Sequence, residues 1–175
     1  VKATVEHAER TGFQAWLYDE DKWPSGAAGG RTIRANPERN RASGLKMEAR
    51  VVTGPARVSL WTSGAKYLLA ARRLLEGRID GATIVDLTGR EEWDAPAGEW
   101  QLFTFRIDHG GIDLPNYLNP ATVREFLNNT YEEYARRISR HFGNTVPGVF
   151  FDEIFNITVA WDPLLEERFR AAKGY

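Results

Sequence analysis

No cysteine occurs among the 175 residues. Disulfides and thiolate metal sites are therefore excluded, while the compartment stays open, because many secreted proteins also lack cysteine. Histidine is scarce, three in all, which argues against a metal-assisted hydrolase. No apolar run approaches the roughly 20 residues of a membrane helix, and no signal peptide opens the chain. Neither sign of charge dominates: 23 Lys and Arg face 24 Asp and Glu, for a formal net charge of -1. That balance favours neither nucleic acid nor an anionic membrane as a partner. A phosphate cradle is missing too. The glycine-rich loop Pro24-Ser25-Gly26-Ala27-Ala28-Gly29-Gly30 has no following Lys-Ser/Thr and no dinucleotide spacing, so it reads as a close-packed rim. What is present is 42% hydrophobic and 12% aromatic residues, enough for a core in one or two domains.

Two apolar runs end in acids. Gly148-Val149-Phe150-Phe151 leads into Asp152-Glu153, and Phe13-Gln14-Ala15-Trp16-Leu17-Tyr18 leads into Asp19-Glu20-Asp21. Short apolar runs suggest strands buried on both faces of a parallel sheet, and α/β folds place their chemistry at carboxyl ends of such strands. The two runs are expected to pair in parallel, with their acids at one end. Solvated strand ends or helix caps are the alternative for any single acid.

Around these runs the pattern alternates between helix and strand. Residues 1–11 are helical by spacing and stop at Gly12. Asn36-Pro37-Glu38 reads as cap, first position and first-turn acid of a short helix. Residues 45–107 change character. Met47–Val52, Val58–Trp61, Ala82–Leu87 and Trp100–Phe105 alternate as strands, Asp94–Gly98 reads as a turn, and Leu68–Leu75 fits either strand or helix. Trp93 and Trp100 read as core before sugar platforms. Asn116-Tyr117-Leu118 suggests a short strand, Asn119-Pro120 caps a long helix running to Gly143, and Asp162-Pro163 caps a last one. On that helix Val123, Phe126, Leu127, Tyr131, Tyr134, Ile138 and Phe142 form an apolar stripe. The expected fold is α/β, a partial (β/α)8 barrel with an antiparallel β insertion: barrel segments at 1–44 and 108–175, insertion at 45–107. A full barrel needs about 200 residues or more, and both ends fall at helical patterns, so the chain reads as a segment of a longer polypeptide.

The stretch Trp16–Gly30, with Asp94–Trp100, Asn116–Pro120, Gly148–Glu153 and Phe169–Tyr175 in that order, resembles large bacterial glycoside hydrolases of the α-L-rhamnosidase type and their uncharacterised relatives. Those relatives often carry proline after the Asp-Glu pair, where this chain has Ile154. The resemblance implies a catalytic barrel with a β insertion, in a secreted or periplasmic enzyme acting on an oligosaccharide or polysaccharide.

Glycoside cleavage needs two carboxyl groups, one of them acting as acid. Glu153 is the candidate general acid, because Phe150 and Phe151 are placed to desolvate it. Its partner is expected beyond Tyr175, in the remainder of the same polypeptide. Asp152 falls on the opposite face, as an orienter, a sugar-binding group or a helix-cap residue. Asp19, Glu20 and Asp21 are candidates for sugar hydroxyls, Trp23 and Trp161 for stacking, and His109 and Tyr117 for weaker contacts. No cofactor is expected; calcium is the ion such oxygens would suit, yet no loop has calcium-ligand spacing. The alternatives are a noncatalytic carbohydrate-binding module and a metal-assisted hydrolase.

Overall fold

The structure, a computed structural model, describes residues 1–19, 21–110, 113–153 and 159–174. The chain divides into two compact units, Val1–Ser43 with His109–Tyr175, and Gly44–Asp108.

The second unit is antiparallel throughout. Its strands are β2 (Ser43–Ser59), β3 (Ala65–Arg73), β4 (Ile79–Asp86) and β5 (Glu92–Asp108), side by side in the order β4-β3-β5-β2. The Leu68–Leu75 stretch thus resolves as strand through Arg73, and a single 3-10 turn at Leu75–Gly77 follows. β2 and β5 pair from Gly44 opposite Asp108 to Ser59 opposite Glu92, with the register slipping between Gly54 and Ala56. The slip places the extra residue in β5, so Asp94–Gly98 is a bulge inside a long strand instead of a chain-reversing turn. Gly54 is required there: a Cβ would lie 2.0 Å from the Pro96 carbonyl oxygen. The core of this unit gathers Leu68, Ala70, Leu87, Trp93, Ala95, Trp100 and Leu102. Trp93 and Trp100 meet edge to face at 5.2 Å, and the Trp100 indole N–H donates to Pro96 O at 2.9 Å. Both tryptophans are core residues, and the bulge between them, which shifts the alternation by one residue, brings them to the same side.

The first unit carries α1 (Lys2–Thr11), β1 (Leu17–Tyr18), α2 (Arg31–Ala35), α3 (Pro37–Asn40), α4 (Pro120–Asn129), α5 (Tyr131–Ile138), β6 (Val149–Phe150), β7 (Ala160–Trp161) and α6 (Pro163–Lys173). The three Asx-Pro caps form as read: Asn36, Asn119 and Asp162 accept from the backbone N–H of Arg39, Ala121 and Leu164. α1 stops at Gly12 and α6 at Gly174, both left-handed. The long helix expected from Asn119 breaks at buried Thr130, after the poor helix formers Asn128 and Asn129. Of the expected stripe, Phe126 and Ile138 are buried, whereas Val123 and Phe142 are exposed. Val5, Leu17, Ile138 and Val146 make the local core.

β1 and β6 pair in parallel, Leu17 opposite Val149 and Tyr18 opposite Phe150. This is the pairing the two acid-ended runs predict. The barrel expectation is overturned. Most strand residues lie in the antiparallel sheet, and the parallel pair β1–β6 of the expected barrel segments is only two residues deep on each side. Tyr117 and Leu118 form a turn in place of a third framework strand. Nor are β1 and β6 buried on both faces: Tyr18 and Phe150 are 42% and 57% exposed, and Phe13 and Trp16 of the same apolar run are exposed too. A short apolar run specifies extended backbone, but which neighbours cover it is decided by distant segments.

Candidate functional site at the end of the parallel strand pair

The site begins where the parallel pair ends. Leu17 anchors β1 in the core, and Asp19 N–H donates to Phe150 O at 3.4 Å, which keeps the two strands together one residue further. The carboxylates that follow, Asp19 on one strand and Asp152-Glu153 on the other, therefore emerge at the same end.

Asp19 is 2% exposed. Its Oδ1 accepts from Ser25 Oγ at 2.8 Å and its Oδ2 from the Tyr131 hydroxyl at 3.4 Å. Burial raises its pKa above the ordinary carboxyl range; the Ser25 and Tyr131 hydrogen bonds oppose that, and the nearby Asp152 charge adds to it. Burial, with Asp19 alongside, pushes the Tyr131 phenol up to about 12, so it remains a donor at physiological pH. Ser25, fully buried, also accepts from Asp152 N–H at 3.1 Å. One hydroxyl thus links the acids of both strands. Asp152 Oδ2 accepts from the Tyr18 hydroxyl at 2.9 Å, and Oδ1 from Glu153 N–H at 2.8 Å. Glu153 is exposed, and Phe150 and Phe151, 57% and 40% exposed, do not enclose it. The desolvation expected for Glu153 falls on Asp19 instead.

The loop from Trp23 to Gly30 is held by buried polar side chains. Thr32 Oγ1 donates to Gly26 O at 2.8 Å, Asn40 Nδ2 to Thr32 O at 2.6 Å, and Thr122 Oγ1 to Asn40 Oδ1 at 2.9 Å. The Tyr117 hydroxyl donates to Ser25 O. Its ring lies so close to Gly26, at φ 94°, that a Cβ would come within 2.7 Å. The glycine-rich loop is a close-packed rim that fixes Ser25 under Asp19. Lys22 and Ala28 hold positive φ within this segment, 87° and 49°.

Beside Asp19 lies a cleft of about 430 Å³ lined by Asp21, Arg31, Asn129, Glu133, Tyr134 and Arg137. Asp19 also lines it; of the other charges, Arg31 pairs with Asp21 at 3.3 Å and Arg137 with Glu133 at 3.1 Å. Such a lining offers both hydrogen-bond donors and acceptors.

The structure groups Asp19, Asp21, Tyr117, Asp152 and Glu153 around this strand end. Trp23, 42% exposed, stands on the rim loop. His109 and Trp161 lie elsewhere: His109 Nδ1 meets Ala42 O at 3.2 Å, and Trp161 O accepts from Ser43 Oγ at 3.0 Å. Glu20 and Ile154 fall outside the described residues. Ser25, Tyr131 and Tyr134 went unread in the sequence. Ser25 sat in a glycine-rich loop, and the two tyrosines belonged to a stripe assigned to the core. Among the described residues no group of three or more His, Asp or Glu is placed to hold a metal ion. No described helix is long and apolar enough to cross a membrane.

No protein-family model, curated protein or solved structure matches this chain.

Proposed function

We propose that this chain carries part of the sugar-cleaving site of a glycoside hydrolase, with Glu153 as the general acid. The observation that carries the reading is the convergence of Asp19 and the Asp152-Glu153 pair at one end of the β1–β6 pair. Glu153 is open to solvent and so reachable by a substrate; a bound sugar closing over it would supply the desolvation that its own neighbours do not. Asp152, held by Tyr18, accepts from the Glu153 backbone N–H and so orients that residue. Asp19, almost wholly buried at the edge of the cleft, acts through Ser25 as a positioning residue. The cleft, with donors and acceptors in its lining, suits the hydroxyls of a saccharide. The second carboxyl group comes from the remainder of the same polypeptide, and secretion or periplasmic export fits a glycan substrate.

The test is Glu153→Gln in the polypeptide that carries this chain. Hydrolysis of a natural glycoside falls by about 10²–10⁴-fold, while an aryl glycoside with an activated leaving group, which hardly needs a proton, is affected less. Near-normal turnover of the natural glycoside would refute the assignment. Sugar binding without turnover in the unaltered polypeptide would favour a noncatalytic carbohydrate-binding module.

A further inference from the structure

Trp61 is 73% exposed, although it follows directly on β2 above the buried Leu68 and Leu102. A lone exposed apolar side chain is ordinary on a protein surface, but this one is held in place. Leu60 N–H donates to Glu91 O at 2.8 Å just before it, and Ala65 N–H to Thr62 O at 3.0 Å just after it. The Arg106 guanidinium lies over the indole, 5.8 Å from the ring centroid, and is itself fixed by Glu48 Oε2 at 2.6 Å. Register explains the convergence. Glu48 lies opposite Thr104 across β2 and β5, and Leu68 opposite Thr104 across β5 and β3. Arg50 is opposite Leu102 in the next row of the same face. The result is a hollow of about 190 Å³ with Trp61, Leu60 and the two buried leucines as its apolar side, and Glu48, Arg50 and Thr104 as its polar side.

We infer that this hollow on the antiparallel unit is a saccharide-binding subsite, with Trp61 as the stacking platform. A pyranose has one apolar C–H face and a rim of hydroxyls, and the hollow presents the complement of both. Arg106 supports the indole and so reduces the ordering cost of binding. Glu48 Oε1 remains beside the oxygen that Arg106 uses, placed to accept from a sugar hydroxyl. The space holds about one ring, so the subsite grips a single residue of a longer glycan. The residues involved all belong to Gly44–Asp108, and the inference stands whether or not Glu153 is a catalytic acid.

The experiment is an NMR titration of the 175-residue chain with xylan-, β-glucan- and pectin-derived oligosaccharides, following the Trp61 indole N–H and the Arg106 Nε–H. The expected result is saturable shifts of both signals with at least one oligosaccharide class. Trp61→Ala weakens that binding by about tenfold or more, and Trp61→Phe by less. Glu153→Gln leaves the titration unchanged. Because Trp61 is a surface residue, the variant keeps the circular dichroism of the parent, so a lost signal reports on binding. No shift with any saccharide class, a shift that Trp61→Ala does not weaken, or a response confined to an aromatic peptide overturns the inference. Hydrolysis lost in Glu153→Gln with no Trp61 response would sink this subsite and leave the proposed function standing.

Discussion

Replacing Ser25 by alanine removes a single buried hydroxyl that serves both strands of the site. The Asp19 carboxylate loses the donor at 2.8 Å, and Asp152 N–H loses its acceptor at 3.1 Å. A hydrogen bond to a charged group is worth about 1.5–3 kcal/mol and an ordinary one about 1 kcal/mol. Ser25→Ala should therefore cost about 2–4 kcal/mol at neutral pH. The cost depends on pH with a definite sign. Folding raises the Asp19 pKa above its ordinary value of 3.8. The stability linked to this group is present in full below 3.8 and is lost as pH rises through the folded-state value. The Ser25 bond lowers the Asp19 pKa, so its removal lifts that value further and enlarges the loss on the alkaline side. In acid, Asp19 is neutral in both proteins and the missing bond is the weaker, uncharged kind. Urea unfolding followed by circular dichroism, run at about pH 3 and about pH 8 on both proteins, measures the difference. A larger destabilisation at the higher pH is expected, together with an upward move of the Asp19 carboxyl titration seen by NMR. A cost that is the same at both pH values, or an Asp19 titration that does not move, would show that Ser25 does not hold this carboxylate.

Three further outcomes follow from packing and capping. Trp100→Ala empties the centre of the antiparallel core and leaves Pro96 O without its indole donor, so urea or thermal unfolding should show a loss of about 3–5 kcal/mol. Gly54→Ala drives a methyl against the Pro96 and Ala95 carbonyls; a loss of about 1–3 kcal/mol is expected, and unchanged stability would mean that β2 and β5 are not this close. Asp162→Ala removes both a helix cap and the acceptor of buried Asn116 at 2.6 Å, for about 2–4 kcal/mol, whereas Asn119→Ala removes a cap alone and should cost about 1 kcal/mol in the same assay.

Much of this protein was determined by interactions local in sequence. The caps at Asn36, Asn119 and Asp162 are bonds within three residues, with proline at the first helical position each time, and they need nothing from the rest of the chain. Alternation in 45–107 set extended strands, because a period of two sorts side chains by face wherever the neighbours lie. It did not set Trp93 and Trp100 on one face: they are an odd number of residues apart, and the bulge between them brings both inward. The two acid-ended runs paired in parallel as their likeness suggested. Tertiary structure alone decided how little that pairing implied. A partial barrel requires each framework strand to find parallel neighbours over some length, and β1 and β6 pair over two residues only while most strand residues lie in the antiparallel sheet. It also decided which acid is buried. Asp19 and Glu153 both follow apolar runs, yet desolvation depends on what lies above the carboxyl group, not on what precedes it in the chain. Tyr131, 112 residues away, and Ser25, turned inward by a packed glycine loop, enclose Asp19. Glu153 ends a strand whose phenylalanines stay at the surface. Burial is a property of three-dimensional neighbours, and two runs of similar pattern arrived at opposite environments for that reason.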